Sequence, residues 1–395
     1  MTKKYSKYVA YLFIALFAVN PLIFWPWAKI AYEIPKVWFI IRYIEILGVA
    51  LLFFPTRLSK EKKDFKMYAL VLAFLSVIFL TSIFGEDFNK SLWGNYYRQD
   101  GLFTYLHLII LAFIASALFK KTTIKQLFTG VLIGLVIVCS ITILNAVLYI
   151  FTGLNIPNWN GAIGGTFGNP NFLSGYLVIT LPVIWYFISN EKFLNRKILY
   201  CSFLFMQLIS ILLTKSWAGI IGIILFANGV LIIKNQKKLA LLFLSMLSLI
   251  SIGYFYLSNS QYPDSGKVFV AEARTRIFTK GILAFEQKPL FGYGWANFDS
   301  AFDSIDWPMK FENDVYVDKA HSTFLEVLVT TGLVGTILYL LIICRVFINL
   351  GKIKLQDAKY LVFILILYLI HSQMNVISIS EEIFFWLLIG ISTNI

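Results

Sequence analysis

His321 is the side chain in this sequence best suited to moving a proton. It stands in KAHSTFLEVLVTTGLVG, where a polar stretch meets a long apolar run. Imidazole titrates at about pH 6.5, which suits general-base work near neutrality. A helix cap or a headgroup contact is the plainer role for a histidine in that place. Glu326 follows one to two helical turns later, where its carboxylate can orient the imidazole or pair with a neighbouring helix. The cations that could join them are Arg98 in GNYYRQDGLF, Lys215 in TKSWAG, and Arg274 and Arg276 in VAEARTRIF. Guanidinium groups bind phosphate oxygens in bidentate fashion, so four such cations converging would suit a diphosphate. Arginines beside lipid headgroups are also ordinary, and only folding can bring these four together.

A second candidate segment is IGGTFGNPNFLSGYLVITLP, residues 163–182. Gly164, Gly165 and Gly168 permit close backbone approach, and Asn169-Pro170-Asn171 makes a turn that starts a helix. Two readings are open. One is a simple helix start with Asn171 as N-cap, which composition favours. The other is a polar backbone pocket at a positive helix end, with Asn169 and Asn171 helping to hold an anion.

Other chemistries lack their residues. There is no G-x-x-x-x-G-K-[ST] and no G-x-G-x-x-G between strand and helix, which argues against an ATP-driven pump. No His, Cys and carboxylate group has metal-ligand spacing, so neither a metal nor another cofactor is expected. Cys139, Cys201 and Cys344 lie far apart inside apolar runs and read as small apolar residues. His107 and His371 fall within apolar runs and read as structural.

The elements that must position these groups are membrane helices. Of 395 residues, 59% are hydrophobic and only 14% charged, where a soluble domain carries about a quarter charged. Mean hydropathy is +0.76. About 20 apolar residues cross a bilayer as a helix. Candidate spans lie at roughly 8–28, 37–54, 67–84, 102–119, 127–151, 172–189, 198–214, 216–233, 239–257, 321–344, 360–377 and 382–395. The first reads as a retained span, because no small-residue cleavage site follows it. Residues 198–233 are too long for one span and are flanked by basic segments, so a hairpin turning near Lys215–Ser216 is expected, with Lys215 at its outward tip.

Charge then orients the chain. The N-terminus and segments 55–66, 120–126, 190–197, 234–238 and 345–359 hold 21 Lys and Arg against four acids, Glu61, Asp64, Glu191 and Asp357. The outward segments hold 12 Lys and Arg, so both termini are expected in the cytosol. The formal charge of +13 is thus mainly an orientation signal and not a nucleic-acid surface. One outward loop, 258–320, is far longer than the rest, and loops of that length are usually functional or disordered. Within it, 270–287 has helical apolar spacing and is expected to form an amphipathic helix on the membrane surface. PLFGYGWANF after it has the composition of a tight turn. Nine of the ten Trp, all but Trp185, lie on the outward side. They read as an interfacial belt, or in cases such as Trp295 as platforms for sugar rings.

Taken in order, these segments resemble the O-antigen ligase and polymerase superfamily of membrane glycan transferases. GTFGNPN (165–171), TKSWAGIIG (214–222), R-I-F-T-K-G…KPLFGYGWANF (276–298) and HSTFLEVLVTTGLVG (321–335) carry the resemblance. The last is similar to the family's His-Asn-x-x-Leu-Glu…Gly-x-x-Gly signature, and YLIHSQMNVISISEEIFFWLLIG (368–390) looks like its closing spans. The resemblance runs from about residue 85 onward, with the ligase-like region at about 160–345. It implies an all-α polytopic membrane protein of about twelve helices with a glycosyltransferase-type membrane fold, forming one integral domain over residues 1–395.

The activity it implies is transfer of a glycan from an undecaprenyl-diphosphate carrier to an acceptor hydroxyl on a glycan or lipid. The place is the outer face of the cytoplasmic membrane, with no nucleotide sugar or metal. Arg276 matches the loop arginine assigned to the lipid diphosphate, with Arg274, Arg98 and Lys215 as weaker candidates. His321 matches the histidine held to activate the acceptor. Two positions depart from the family pattern. Ser216-Trp217 stands where Ser-Arg is common, leaving Lys215 as the nearby charge, and Ser322 stands where Asn is usual. The alternative is a non-enzymatic exporter of polysaccharide or lipid-linked glycan, which would show internal repeats and a polar midplane site. No convincing repeat is visible, and the polar groups crowd one face.

Overall fold

A computed structural model describes residues 2–53, 63–119, 123–153, 158–159, 161–236, 238–239, 272–309, 316–353 and 357–394. Helices dominate it, as the composition requires. In chain order they are α1 (Thr2–Val19), α2 (Glu33–Phe53), α3 (Phe65–Ile83), the short α4 (Phe88–Trp93), α5 (Leu102–Leu118) and α6 (Thr123–Thr152). Next come α7 (Pro170–Asn190), α8 (Leu194–Leu213), α9 (Trp217–Ile233), α10 (Arg274–Gln287), α11 (Phe298–Asp303), α12 (Thr323–Lys352), α13 (Ala358–His371) and α14 (Ile379–Ser392). Asn158–Trp159 pairs antiparallel with Ala162–Ile163 just before α7.

The chain is an all-α membrane protein. Among the described residues, five helices, α3, α6, α7, α8 and α12, contain stretches long and apolar enough to cross a membrane, and α5, α9 and α13 are shorter apolar helices. The ninth expected span, 239–257, lies almost wholly outside the described residues, as do 258–271 and 310–315 of the long loop. α7 is the most enclosed of the five. It is apolar on every side because α6, α8, α9 and α13 all pack around it, as expected of a helix at the centre of a bundle. α5 packs along α14, and α3 along α12.

A second, smaller core sits at one end of α12. Ile277 and Ala284 of α10, Phe298 and Phe302 of α11, and Leu325 and Val329 of α12 are buried together there. α10 begins at Arg274 and lays its apolar face on this core and on α12. Trp25, Trp27, Trp38, Trp93, Trp217 and Trp307 are exposed, as a belt would be, whereas Trp295 is buried.

Candidate functional site

The segment before α12 holds the site together. Ser322 caps the helix, its Oγ accepting from the Leu325 N–H at 3.3 Å, and the backbone of His321 is in the left-handed region at φ +56°. That conformation costs a non-glycine residue about 1 kcal/mol or more, so neighbouring contacts must hold it. Glu326 supplies two of them. It accepts from the Ala320 N–H at 2.9 Å and from Lys319 Nζ at 3.0 Å. The carboxylate thus fixes the two residues that precede His321. His321 Nδ1 lies 3.0 Å from the Lys319 carbonyl oxygen. An oxygen acceptor there requires the proton on Nδ1, which leaves Nε2 with its lone pair. Burial, with the charges of Arg274 and Arg98, pushes the imidazole pKa below its ordinary 6.5 despite the Lys319 carbonyl and Asp318.

Two crossed ion pairs tie this segment to the loop between α4 and α5. Arg98 Nε donates to Asp318 at 2.6 Å, and Lys319 Nζ lies 2.7 Å from Asp100. Burial raises the Asp318 carboxyl, but the Arg98 guanidinium outweighs it and holds the group below the usual carboxylate range. Burial likewise works against charge on Lys319, and the Asp100 and Glu326 carboxylates more than offset it. The Arg98 guanidinium also lies 5.1 Å from the ring centre of Phe172, in the first turn of α7.

These residues face a half-open cavity of about 80 Å³, lined by Arg98, Asp100, Lys319, His321, Ser322 and Glu326. Glu33, Glu382, Asn375, Tyr105 and Trp295 line it as well. Glu33 accepts from the Ile379 N–H through Oε1 at 2.6 Å. Glu382 accepts from Tyr368 at 2.5 Å and from the Trp386 indole at 3.1 Å. Trp295 donates to the Asp100 carbonyl at 3.0 Å and packs edge-on against Tyr105. It presents an edge of a packed cluster, not an open sugar-stacking face.

Of the residues singled out from sequence, the fold brings His321, Arg98 and Glu326 onto one cavity. Arg274 reaches its rim, donating to the Met374 carbonyl and to Asn375 Oδ1, the latter at 2.8 Å. Arg276 is not on the wall. It donates to the Pro308 carbonyl at 2.8 Å and to Glu272 at 2.9 Å, and stacks over Phe302. Lys215 sits in the α8–α9 turn at φ +50°, its ammonium beside the Gly161 turn. Asn169, not Asn171, is the N-cap of α7, accepting from the Asn171 N–H at 2.8 Å. The helix starts there because Pro170 fits the first helical position, where a missing N–H is harmless. Asn171 instead accepts from Ser216 Oγ at 2.9 Å, linking α7 to the α9 start.

Sequence reasoning missed Lys319, Asp100, Asp318, Glu33 and Glu382. The signal available was reciprocal charge: Arg98-Gln99-Asp100 faces Asp318-Lys319. His107 and His371 are engaged locally, His107 with the Phe103 carbonyl at 2.8 Å and His371 with Glu381 at 3.0 Å. Among the described residues no group of three or more His, Cys, Asp or Glu is arranged to hold a metal.

Among the described residues, apolar helices thus gather around a polar cavity that His321, Arg98 and Glu326 line together. Residues 202–340 match the family model described as O-Antigen ligase, in agreement with the resemblance read from the motifs. The match runs from α8 into α12 and includes Lys215, Arg274, Arg276, His321 and Glu326, while Glu33, Arg98 and Asp100 lie outside it. No curated protein matches the chain. Residues 202–340 are thus an O-antigen ligase-type region, of a class that works in surface polysaccharide biosynthesis, within a chain that carries several helices apolar enough to cross a membrane.

Proposed function

We propose that the protein transfers a glycan from an undecaprenyl-diphosphate carrier to an acceptor hydroxyl at the outer face of the cytoplasmic membrane. On this reading the chain spans the bilayer about twelve times with both termini in the cytosol, and the segment before α12 faces outward. The observation that carries the proposal is His321. Its Nδ1 is committed to the Lys319 carbonyl, its Nε2 lone pair is available, and its pKa is depressed. It is therefore a neutral base at physiological pH.

In the transfer step the acceptor oxygen attacks the anomeric carbon and gives its proton to His321 Nε2. The bond from the anomeric carbon to the diphosphate oxygen breaks, and the diphosphate leaves with the electron pair. Direct displacement inverts the anomeric configuration. Arg274 at the rim and Arg98 on the wall are placed to meet the charge that develops on the leaving group. Arg276 and Lys215 contribute at longer range or through the loop they hold. No metal or nucleotide enters this step. The acceptor is a second lipid-linked unit in a polymerase and a different glycan or lipid in a ligase.

The test is to incubate the purified protein with lipid-linked repeat units, first alone and then with candidate acceptors. A ladder of products identifies a polymerase, and a single transfer product identifies a ligase. The absence of any new glycosidic bond under both conditions favours the exporter reading instead.

A further inference from the structure

The charges on the cavity wall do not match a site built for an anion alone. Four carboxyl groups, Glu33, Asp100, Glu326 and Glu382, face it against two cations, Arg98 and Lys319. Both cations are paired: Arg98 with Asp318, Lys319 with Asp100 and Glu326. Glu382 is occupied by Tyr105, Tyr368 and Trp386. Glu33 differs. It is 7% exposed, its Oε1 is fixed by the Ile379 N–H, and its Oε2 has no hydrogen-bond partner among the described residues. A buried carboxylate oxygen without a donor is costly. A ligand hydroxyl that enters the cavity can relieve the cost by hydrogen bonding to this oxygen.

We propose that Glu33 is a sugar-binding residue, its Oε2 accepting a hydrogen bond from a glycan hydroxyl held in the same cavity as His321. Asp100 Oδ1, also buried and without a partner among the described residues, offers a second acceptor in that cavity. A polyhydroxylated ring can donate to both of these fixed oxygens at once, which a diphosphate, having acceptors only, does not. The cavity interior is thus the sugar subsite and the arginine-bearing rim the phosphate side. This assignment rests on the transfer reading above and names the half of the substrate that the interior takes.

Glu33→Gln keeps an oxygen for the Ile379 N–H and replaces Oε2 with an amide nitrogen, which donates. Purified wild-type and E33Q protein would be titrated separately with two kinds of probe while thermal unfolding is followed. One is sugar-free undecaprenyl diphosphate. The other is a panel of methyl hexosides and N-acetylhexosaminides with a mild acid hydrolysate of the host's own surface polysaccharide. Expected is a sugar-dependent rise in the wild-type midpoint, with half-saturation shifted about tenfold or more upward in E33Q, and an unchanged response to undecaprenyl diphosphate. Equal sugar responses in the two proteins overturn the proposal, as does the absence of a sugar response in wild type. Loss of both responses in E33Q, with a lowered unliganded midpoint, overturns it in favour of a purely structural role. A sugar response without any diphosphate response leaves Glu33 in place and removes the transfer reading instead. The source of the hydroxyl follows from kinetics with lipid-linked units: E33Q raises KM for the acceptor or for the donor, whichever sugar Glu33 holds.

Discussion

Tyr293 donates its backbone N–H to the carbonyl of Val329 across 3.0 Å. That carbonyl belongs to α12 and would ordinarily accept from Leu333 one turn later. The helix is broken at Gly332, at φ +64° and ψ −166°, and the segment 289–294 is inserted into the gap. Gly294 N–H bonds to the Thr330 carbonyl at 2.9 Å, while Leu333 N–H turns outward to the Pro289 carbonyl at 2.8 Å. Val334 N–H likewise reaches the Leu290 carbonyl at 3.4 Å, so the loop takes up backbone groups that the break frees. The PLFGYG and TTGLVG segments are thus two halves of one joint, which seats α10 and α11 against the end of α12 that carries the site.

Gly332→Ala is expected to open that joint. A Cβ there would lie 2.3 Å from the backbone of Leu290, and the left-handed φ alone costs about 1–2 kcal/mol. The clash is with backbone, so no side chain can yield to it. Thermal unfolding in detergent should show a lower midpoint together with lost transfer. A variant with wild-type stability and activity would show that the joint carries no load.

His321→Ala is expected to reduce transfer by about 10²–10⁴-fold, the usual worth of a positioned base, with little change in stability. The pH profile gives a sharper reading. The base must be neutral, and burial with the nearby arginines sets its pKa below 6.5. Activity should therefore persist below pH 6.5 and fall only at more acid values. Arg274→Gln removes one of the charges that depress the imidazole, so its acid limb should move to higher pH. An acid limb unaltered in that variant would separate Arg274 from His321.

Lys319→Met is expected to be among the most damaging single changes. It leaves the Asp100 and Glu326 carboxylates facing the cavity without their shared cation, and breaking a buried pair by removing one partner costs about 3–5 kcal/mol. Adding Asp100→Asn should recover part of the lost stability, because the two positions are directly coupled. Strictly additive losses in the double variant would mean that the pair contributes nothing as a pair.

Arg274 and Arg276 should separate in their effects although they are two residues apart. Arg276 binds the Pro308 carbonyl and Glu272 within the loop, so Arg276→Ala should lower the unfolding midpoint. Arg274 reaches Asn375 at the cavity rim, so Arg274→Ala should raise KM for the lipid-linked donor with a smaller change in midpoint. The reverse pattern would return the diphosphate to Arg276.

Much of this architecture was legible in the sequence because apolar run length and basic flanks are local signals. α8 and α9 meet at Lys215, where two flanking basic segments required a hairpin. The site was legible only in part. His321 and Glu326 sit on one helical start and were visible together. Arg98 and Asp318 are 220 residues apart, and no periodicity reports which loop meets which. Glu33 carries no signal of its own in the sequence, since an acid in a first helical turn has an ordinary use against the helix dipole. Asn169 displaced Asn171 as cap because Pro170 decided where the helix begins.

The opposite end of α12 offers a pH test that leaves the candidate site untouched. Asp64 caps α3, accepting from the Lys66 N–H at 3.2 Å. It also takes a two-pronged contact from Arg345 at 2.6 and 2.8 Å and a third from Asn349 at 2.6 Å. The Arg345 hydrogen bond, partly opposed by burial and helped by Asn349, holds the carboxyl at about 2, below its ordinary 3.8. A carboxyl with a depressed folded-state pKa contributes stability that is complete above its unfolded value and disappears as pH falls through the folded value. The contribution should thus be full above about pH 4 and lost toward pH 2. Asp64→Asn should lower the unfolding midpoint at neutral pH, because it strips the charge from the Arg345 pair. The gap to wild type should then close as the buffer is taken from pH 4 downward, since protonation makes wild type resemble the variant. A gap that stays constant over that range would show that the α3–α12 link owes nothing to the charge on Asp64.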